Sequence, residues 1–155
     1  IVSAVTHETS EAKMTLAGVP DRPGVAATVF RALADLEVNV DMIVQNVSTE
    51  GVTDISFTVP HADLVRAMEH TSRLAVEVGA SGVSSDDSIA RVSVVGAGMR
   101  SNPGVAATMF ETLAASGVNI QMISTSAIRV SCVVDGAQVE DAVRTLHDVF
   151  GLAEA

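Results

Sequence analysis

The first residues, Ile1 to Thr6 (Ile-Val-Ser-Ala-Val-Thr), form a short apolar run that predicts a strand. From Ala12 to Val19, Met14 and Leu16 alternate with Lys13 and Thr15, a period of two that predicts a second strand. The period then changes. Asp21 precedes Pro23, and Ala26, Phe30 and Leu33 recur at helical spacing, so a helix is expected from about Gly24. Asn39 to Val47 and Val52 to Val59 read as paired strands joined by the turn Ser48-Thr49-Glu50-Gly51, and Pro60 ends the run. Leu64, Val65 and Met68 begin an amphipathic helix that reaches about Val78. The Gly- and Ser-rich stretch from Gly79 to Ser88 is a candidate junction with room for a short strand.

The pattern then repeats. Arg91 to Val95 predicts a strand, Val105 to Ser116 a helix and Asn119 to Ser124 a strand. Ile128, Val130 and Cys132 alternate with Arg129, Ser131 and Val133 in a further strand. Val139, Val143, Leu146 and Phe150 mark one face of a last helix. The repetition is close to literal, since Pro23-Gly24-Val25-Ala26-Ala27-Thr28-Val29-Phe30 returns 80 residues later as Pro103-Gly104-Val105-Ala106-Ala107-Thr108-Met109-Phe110. Leu33, Ala34, Val38, Asn39, Met42 and Ile43 have matching counterparts in Leu113, Ala114, Val118, Asn119, Met122 and Ile123. One supersecondary unit is used twice. Strand–helix–strand–strand–helix is the start of the ferredoxin-like βαββαβ pattern, so the fold class is α+β. The second copy ends at its helix and lacks a closing strand, while Ile1 to Thr6 is a strand without a place in the first. The second unit is therefore expected to be discontinuous and completed by the N-terminal strand. The expected boundaries are 10–84 for the first domain, 1–7 with 89–152 for the second, and 79–88 for the junction.

An apolar fraction of 48% suffices for a core, but with 3% aromatic residues and no Trp or Tyr the packing must be small and aliphatic. Units this small are expected to need a neighbour to bury enough surface. The net charge of −10 repels phosphate backbones, and the strands lack stacking aromatics, so no nucleic-acid partner is expected. The single Cys132 rules out an intrachain disulfide framework and fits a reducing, cytoplasmic setting. No apolar run has transmembrane length and no signal-like segment opens the chain, so no membrane partner is expected either.

No catalytic or metal-binding constellation emerges. His7, His61, His70 and His147 lack metal-ligand spacing, and Cys132 sits in an apolar row that favours a core thiol. Asp86-Asp87 lies in the Ser-Gly-rich stretch, and Gly96-Ala97-Gly98 lacks the third glycine of a dinucleotide fingerprint. Catalysis by this chain alone is not expected. What remains is the duplicated Pro-Gly turn ahead of a helix, whose unpaired N–H groups and positive dipole end suit a small anion.

The segment Val19-Pro20-Asp21-Arg22-Pro23-Gly24 and the following Asn39-Val40-Asp41-Met42-Ile43-Val44-Gln45-Asn46-Val47-Ser48 resemble the regulatory region of the aspartokinases. Gly96 to Val105, Val118-Asn119-Ile120 and Ile123-Ser124-Thr125-Ser126 carry the resemblance through the second copy. It implies two tandem ACT domains, small ferredoxin-like modules that sense amino acids. No amino-acid kinase domain is recognisable in the sequence, so the likeness is to a small regulatory subunit of a heterotetrameric aspartokinase or to an excised C-terminal fragment. ATP and Mg would belong to that kinase domain, and no cofactor is implied for this chain. The resemblance further implies that ACT domains of two chains pair, as a homodimer or with a catalytic aspartokinase subunit, and bind threonine, often with lysine, for feedback inhibition of aspartate phosphorylation. Carried over by position, the threonine set is Asp21, Gly24, Val25, Ala26 and Gln45, completed by Asn119 and Ile120. Asp41, Ala106, Ser126 and Ala127 fall at lysine-associated positions, where the family usually has Thr in place of Ala106 and Glu in place of Ala127. Two other readings stay open: an ACT-type sensor of another amino acid serving a different enzyme, and an oligomerisation module without ligand. Asp21 and Asn119 are also residue types that favour caps and turns.

Overall fold

The computed structural model describes residues 1–152. In chain order the elements are β1 (Val2–Glu8), β2 (Glu11–Pro20), α1 (Val25–Asp35), β3 (Ile43–Gln45), β4 (Val52–Pro60) and α2 (Leu64–Val78). There follow β5 (Gly82–Asp86), β6 (Ile89–Gly96), α3 (Gly104–Ala115), β7 (Ile120–Thr125), β8 (Arg129–Asp135) and α4 (Val139–Val149). They form two compact units, one from Ser10 to Asp87 and one from Ile1–Thr9 with the residues from Ser88 on. We call these the insert unit and the split unit.

In the insert unit the antiparallel strand order is β3-β4-β2-β5. Alternation along β2 sends Met14 and Leu16 to one face, where Ile55, Phe57 and Val59 of β4 join them. Val29 and Leu33 of α1 and Ala67, Ala75 and Val78 of α2 close that core. Phe30 meets Phe57 edge-to-face with ring centroids 5.2 Å apart. Burying each large aliphatic side chain contributes about 1.5–3 kcal/mol, so the helix–sheet seam dominates the stability of a unit so poor in aromatics.

The strand expected over Asn39 to Val47 is paired only from Ile43 to Gln45. Thr58 is the reason at one end: its hydroxyl accepts the Met42 amide at 3.1 Å, so its carbonyl accepts the Asp41 amide instead, one residue out of register. At the other end the Thr53 hydroxyl donates to the Asn46 carbonyl at 2.8 Å. The Gly- and Ser-rich stretch contributes a strand, since β5 pairs with β2 from Lys13↔Asp86 to Ala17↔Gly82. Gly79, at φ 83°, stops α2, and Ser81 then donates its amide to Ala17 at 2.8 Å, which starts the ladder.

The split unit has the strand order β1-β6-β8-β7 and the same relative arrangement. β1 takes the edge beside β6, the place that β5 takes beside β2 in the insert unit, so the N-terminal strand closes this sheet. Ala90, Val92, Val94, Val130, Cys132 and Val134 face Met109 and Leu113 of α3 and Ala142 and Leu146 of α4. Among the described residues no helix is long and apolar enough to cross a membrane.

Deleting residues 1–6 removes an edge strand from the split unit alone, together with the half-buried Val2 and Val5 that pack on its core. Hydrogen exchange resolved by unit should show β6 and β8 losing far more protection than β2 and β4. Equal loss in both units would count against the arrangement.

Candidate functional site

β2 and β3 are both antiparallel to β4, so they run in the same direction and end at the same edge of the insert sheet. That edge gathers Asp21, which follows β2, the start of α1, and Gln45 at the end of β3. Asp21 is anchored by its amide, which donates to Gly51 at 2.9 Å, and its carboxylate has no partner among the described residues. Arg22 reaches away to the Val78 carbonyl at 3.3 Å, a cation on the negative end of α2. Gly24 turns the chain into α1 at φ 92°, a left-handed conformation suited to glycine, and open space surrounds its Cα. No side chain caps α1, so Asp21 is not its cap. The first amides of the helix, at Val25 and Ala26, have no intrahelical acceptor. The Val25 side chain is buried in the core, which leaves only its backbone to face a ligand, whereas Asp21, Gly24, Ala26 and Gln45 are exposed.

The split unit builds its own version of this edge. A 3-10 turn over Met99–Ser101 precedes α3, and the Asn102 side-chain amide donates to the Gly98 carbonyl at 2.7 Å. A cavity of about 230 Å³ lies here, lined by Met99, Asn102, Pro103, Val105, Ala106, Thr125, Ser126 and Val130. Its polar groups are hydroxyls and an amide, and none of these lining side chains is charged. Ala106 and Ser126 therefore come together, and Ala127 follows in the exposed turn between β7 and β8.

The other predicted residues lie at the opposite sheet edges. Asn119 precedes β7 and Ile120 starts it, the first exposed and the second packed against the split core. Asp41 precedes β3 in the insert unit and is exposed, its amide donating to Thr58 at 3.1 Å. The threonine set is thus divided, with Asp21, Gly24, Val25, Ala26 and Gln45 in the insert unit and Asn119 and Ile120 in the split unit. The lysine-associated set is divided the other way, with Asp41 in the insert unit and Ala106, Ser126 and Ala127 in the split unit.

Two features escaped the sequence. Asn39 and Val40, the counterparts of Asn119 and Ile120, line a hollow of about 310 Å³ with Phe30, Ala34, Glu37, Val38 and Ile43. The duplicated Asn was the available signal. His7 and His147, far apart in the chain, line one cleft of about 660 Å³ with Val139, Glu140, Val143, Arg144 and Asp148. Only the pairing of β1 into the split unit reveals that neighbourhood. Among the described residues no cluster of three His, Cys, Asp or Glu is placed to hold a metal.

The ACT domain family matches residues 14–73 and 92–150. A solved structure of aspartokinase alpha and beta subunits is 46% identical, with a TM-score of 0.93 over 98% of this chain and 100% of that one. The ligand-free regulatory subunit of aspartate kinase from Thermus thermophilus is 38% identical, with a TM-score of 0.91 over 96% of this chain and 98% of that one. This chain belongs to the ACT-domain regulatory region of the aspartokinases. The aspartokinase of Mycolicibacterium smegmatis is 51% identical over 154 residues, 98% of this chain and 37% of that protein. The chain thus spans little more than a third of that curated relative. In this regulatory region the two Pro-Gly edges carry different polar residues, one Asp21 and Gln45 and the other Ser101 and Thr125.

Cys132 takes no part in either edge. It is buried in the split core, and burial pushes its thiol from 9.0 up to about 12. In the folded protein it should resist a thiol reagent at pH 8 and react only on unfolding. Between about pH 9 and 12 the unfolded chain has lost a proton that the folded one retains, so stability falls as pH rises through that window. Urea melts at pH 8 and pH 10, compared with Cys132→Ala, would isolate this contribution.

Proposed function

We propose that this chain is a feedback sensor that binds threonine at the Asp21 edge of the insert unit and holds an aspartokinase catalytic chain in a low-activity state. One observation supports the reading above the others. A free carboxylate, an open glycine and an uncapped helix N-terminus share one sheet edge with an exposed glutamine. An α-amino acid presents the complementary groups. Its carboxylate meets the amides at Val25 and Ala26, where the helix dipole favours negative charge. Its ammonium pairs with Asp21, and Gln45 offers both a donor and an acceptor to a hydroxyl side chain. Asn119 and Ile120 of a second chain complete the enclosure.

The split-unit cavity is the proposed second, lysine-associated site. Its described lining residues supply hydroxyls and an amide but no carboxylate for a lysine ammonium, and the one carboxylate of the lysine-associated set, Asp41, belongs to the insert unit. Desolvating that charge without a partner is costly, so lysine binds weakly there. Signal transmission is a population shift: threonine favours one arrangement of paired ACT chains over another, with a coupling of about 1–3 kcal/mol. The catalytic chain supplies ATP and Mg chemistry, and this chain supplies none.

Isothermal titration should show threonine binding with little enhancement by lysine. Asp21→Ala should weaken threonine binding by about 1.5–3 kcal/mol, one to two decades in Kd. Unchanged affinity in that variant would remove Asp21 from the site, and strong lysine binding would overturn the weak-lysine assignment.

A further inference from the structure

Ser126, in the split-unit cavity, is two hydrogen bonds away from Gly96 at the end of β6. Its Oγ accepts the Ile128 amide at 3.4 Å, and the Ile128 carbonyl accepts the Gly96 amide at 2.9 Å. Gly96 lies directly against Ile1, since a Cβ built there would overlap the Ile1 carbonyl oxygen. Its φ lies outside the positive range, so the glycine is needed here for space and not for conformation. The β1–β6 ladder also slips at this point. Val2 faces Gly96 while Ala4 faces Val95, and Ser3 is the extra residue of a bulge, its hydroxyl donating to the Val95 carbonyl at 3.2 Å. The first residues of β1 are thus seated on Gly96 and separated from the regular ladder by the bulge. Their seat is held in place by the same turn that lines the cavity.

We infer that Gly96 is a positioning residue that couples the split-unit cavity to the first residues of β1. A ligand that fixes Ser126 to Ile128 fixes the Ile128 carbonyl, that carbonyl holds the Gly96 amide, and Ile1 and Val2 are held with it. The inference rests on the ligand-binding reading above and adds the element that reports occupancy. Coupling of this kind is reciprocal, so displacing Ile1 weakens the ligand although Gly96 touches none.

The test is amide hydrogen exchange on the full chain, free and with saturating threonine or lysine. The amino acid that slows exchange over residues 102–106 and 126–128 should also slow Val2 to Ala4 by about fivefold. Protection of the cavity residues with no change in Val2 to Ala4 would overturn the coupling and leave the binding reading intact. Protection confined to residues 21–26 with both amino acids would also overturn it, because neither ligand then reaches the network. No protection with either amino acid would overturn both. In parallel, Gly96→Ala should lower affinity for the protecting amino acid by about fivefold, and a folded variant with unchanged affinity would overturn the proposal. Where that variant does not fold, the exchange comparison on the unsubstituted chain decides.

Discussion

The length of chain between a central strand and the helix it feeds governs the rest of the structure. β2 must deliver α1 onto the sheet face that Met14 and Leu16 make apolar, and only residues 21–24 are available for the reversal. The residue at the cap position is Gly24, left-handed at φ 92° and without a side chain to act as a cap. The helix therefore begins with bare amides at the rim of the sheet. In the split unit the link runs over residues 97–103, which is long enough for the Met99–Ser101 turn. There Pro103 precedes the first helical residue, Gly104, whose φ is not positive. The same Pro-Gly pair thus makes two different helix starts, according to where the preceding strand ends.

That difference explains how two nearly identical segments hold unlike chemistry. A tight reversal puts a charged residue, Asp21, at the rim with its backbone already committed to Gly51. A looser one is stabilised internally, by Asn102 on Gly98 and Ser101 on the same carbonyl, and borders a small cavity whose described lining side chains are uncharged. Duplication supplied the scaffold, and the local backbone requirements determined what each copy displays.

Much of this was legible along the chain because small aliphatic residues report their period cleanly. Alternation at Met14 and Leu16, helical spacing at Phe30 and Leu33, and the unplaced strand at the N-terminus all point to paired ferredoxin-like units. Legibility failed where side chains compete with the backbone for hydrogen bonds. Thr58 and Thr53 shorten β3 at both ends, and an apolar pattern carries no trace of their hydroxyl bonds. The candidate residues themselves were read from motif likeness, while their grouping required strand direction. Gln45 joins Asp21 only because β3 and β2 run the same way, and Asn119 lies at the other edge from Ser126 because β7 runs between them. His7 and His147 show the same limit, since spacing along the chain says nothing of a neighbour brought in by an edge strand.

Carrying the split unit's edge strand at the far end of the sequence has a consequence for how the chain folds. Val5 must find Val94 across a loop of nearly ninety residues, and closing such a loop is entropically slow. The insert unit removes most of that cost if it folds first, because its own β2–β5 pairing sets Lys13 against Asp86 and brings the two ends of the loop together. β1 then needs to search only a few residues to meet β6. During synthesis β1 leaves the ribosome long before its partner, and the insert acts as a folding clasp that keeps the waiting strand near the place where β6 will emerge.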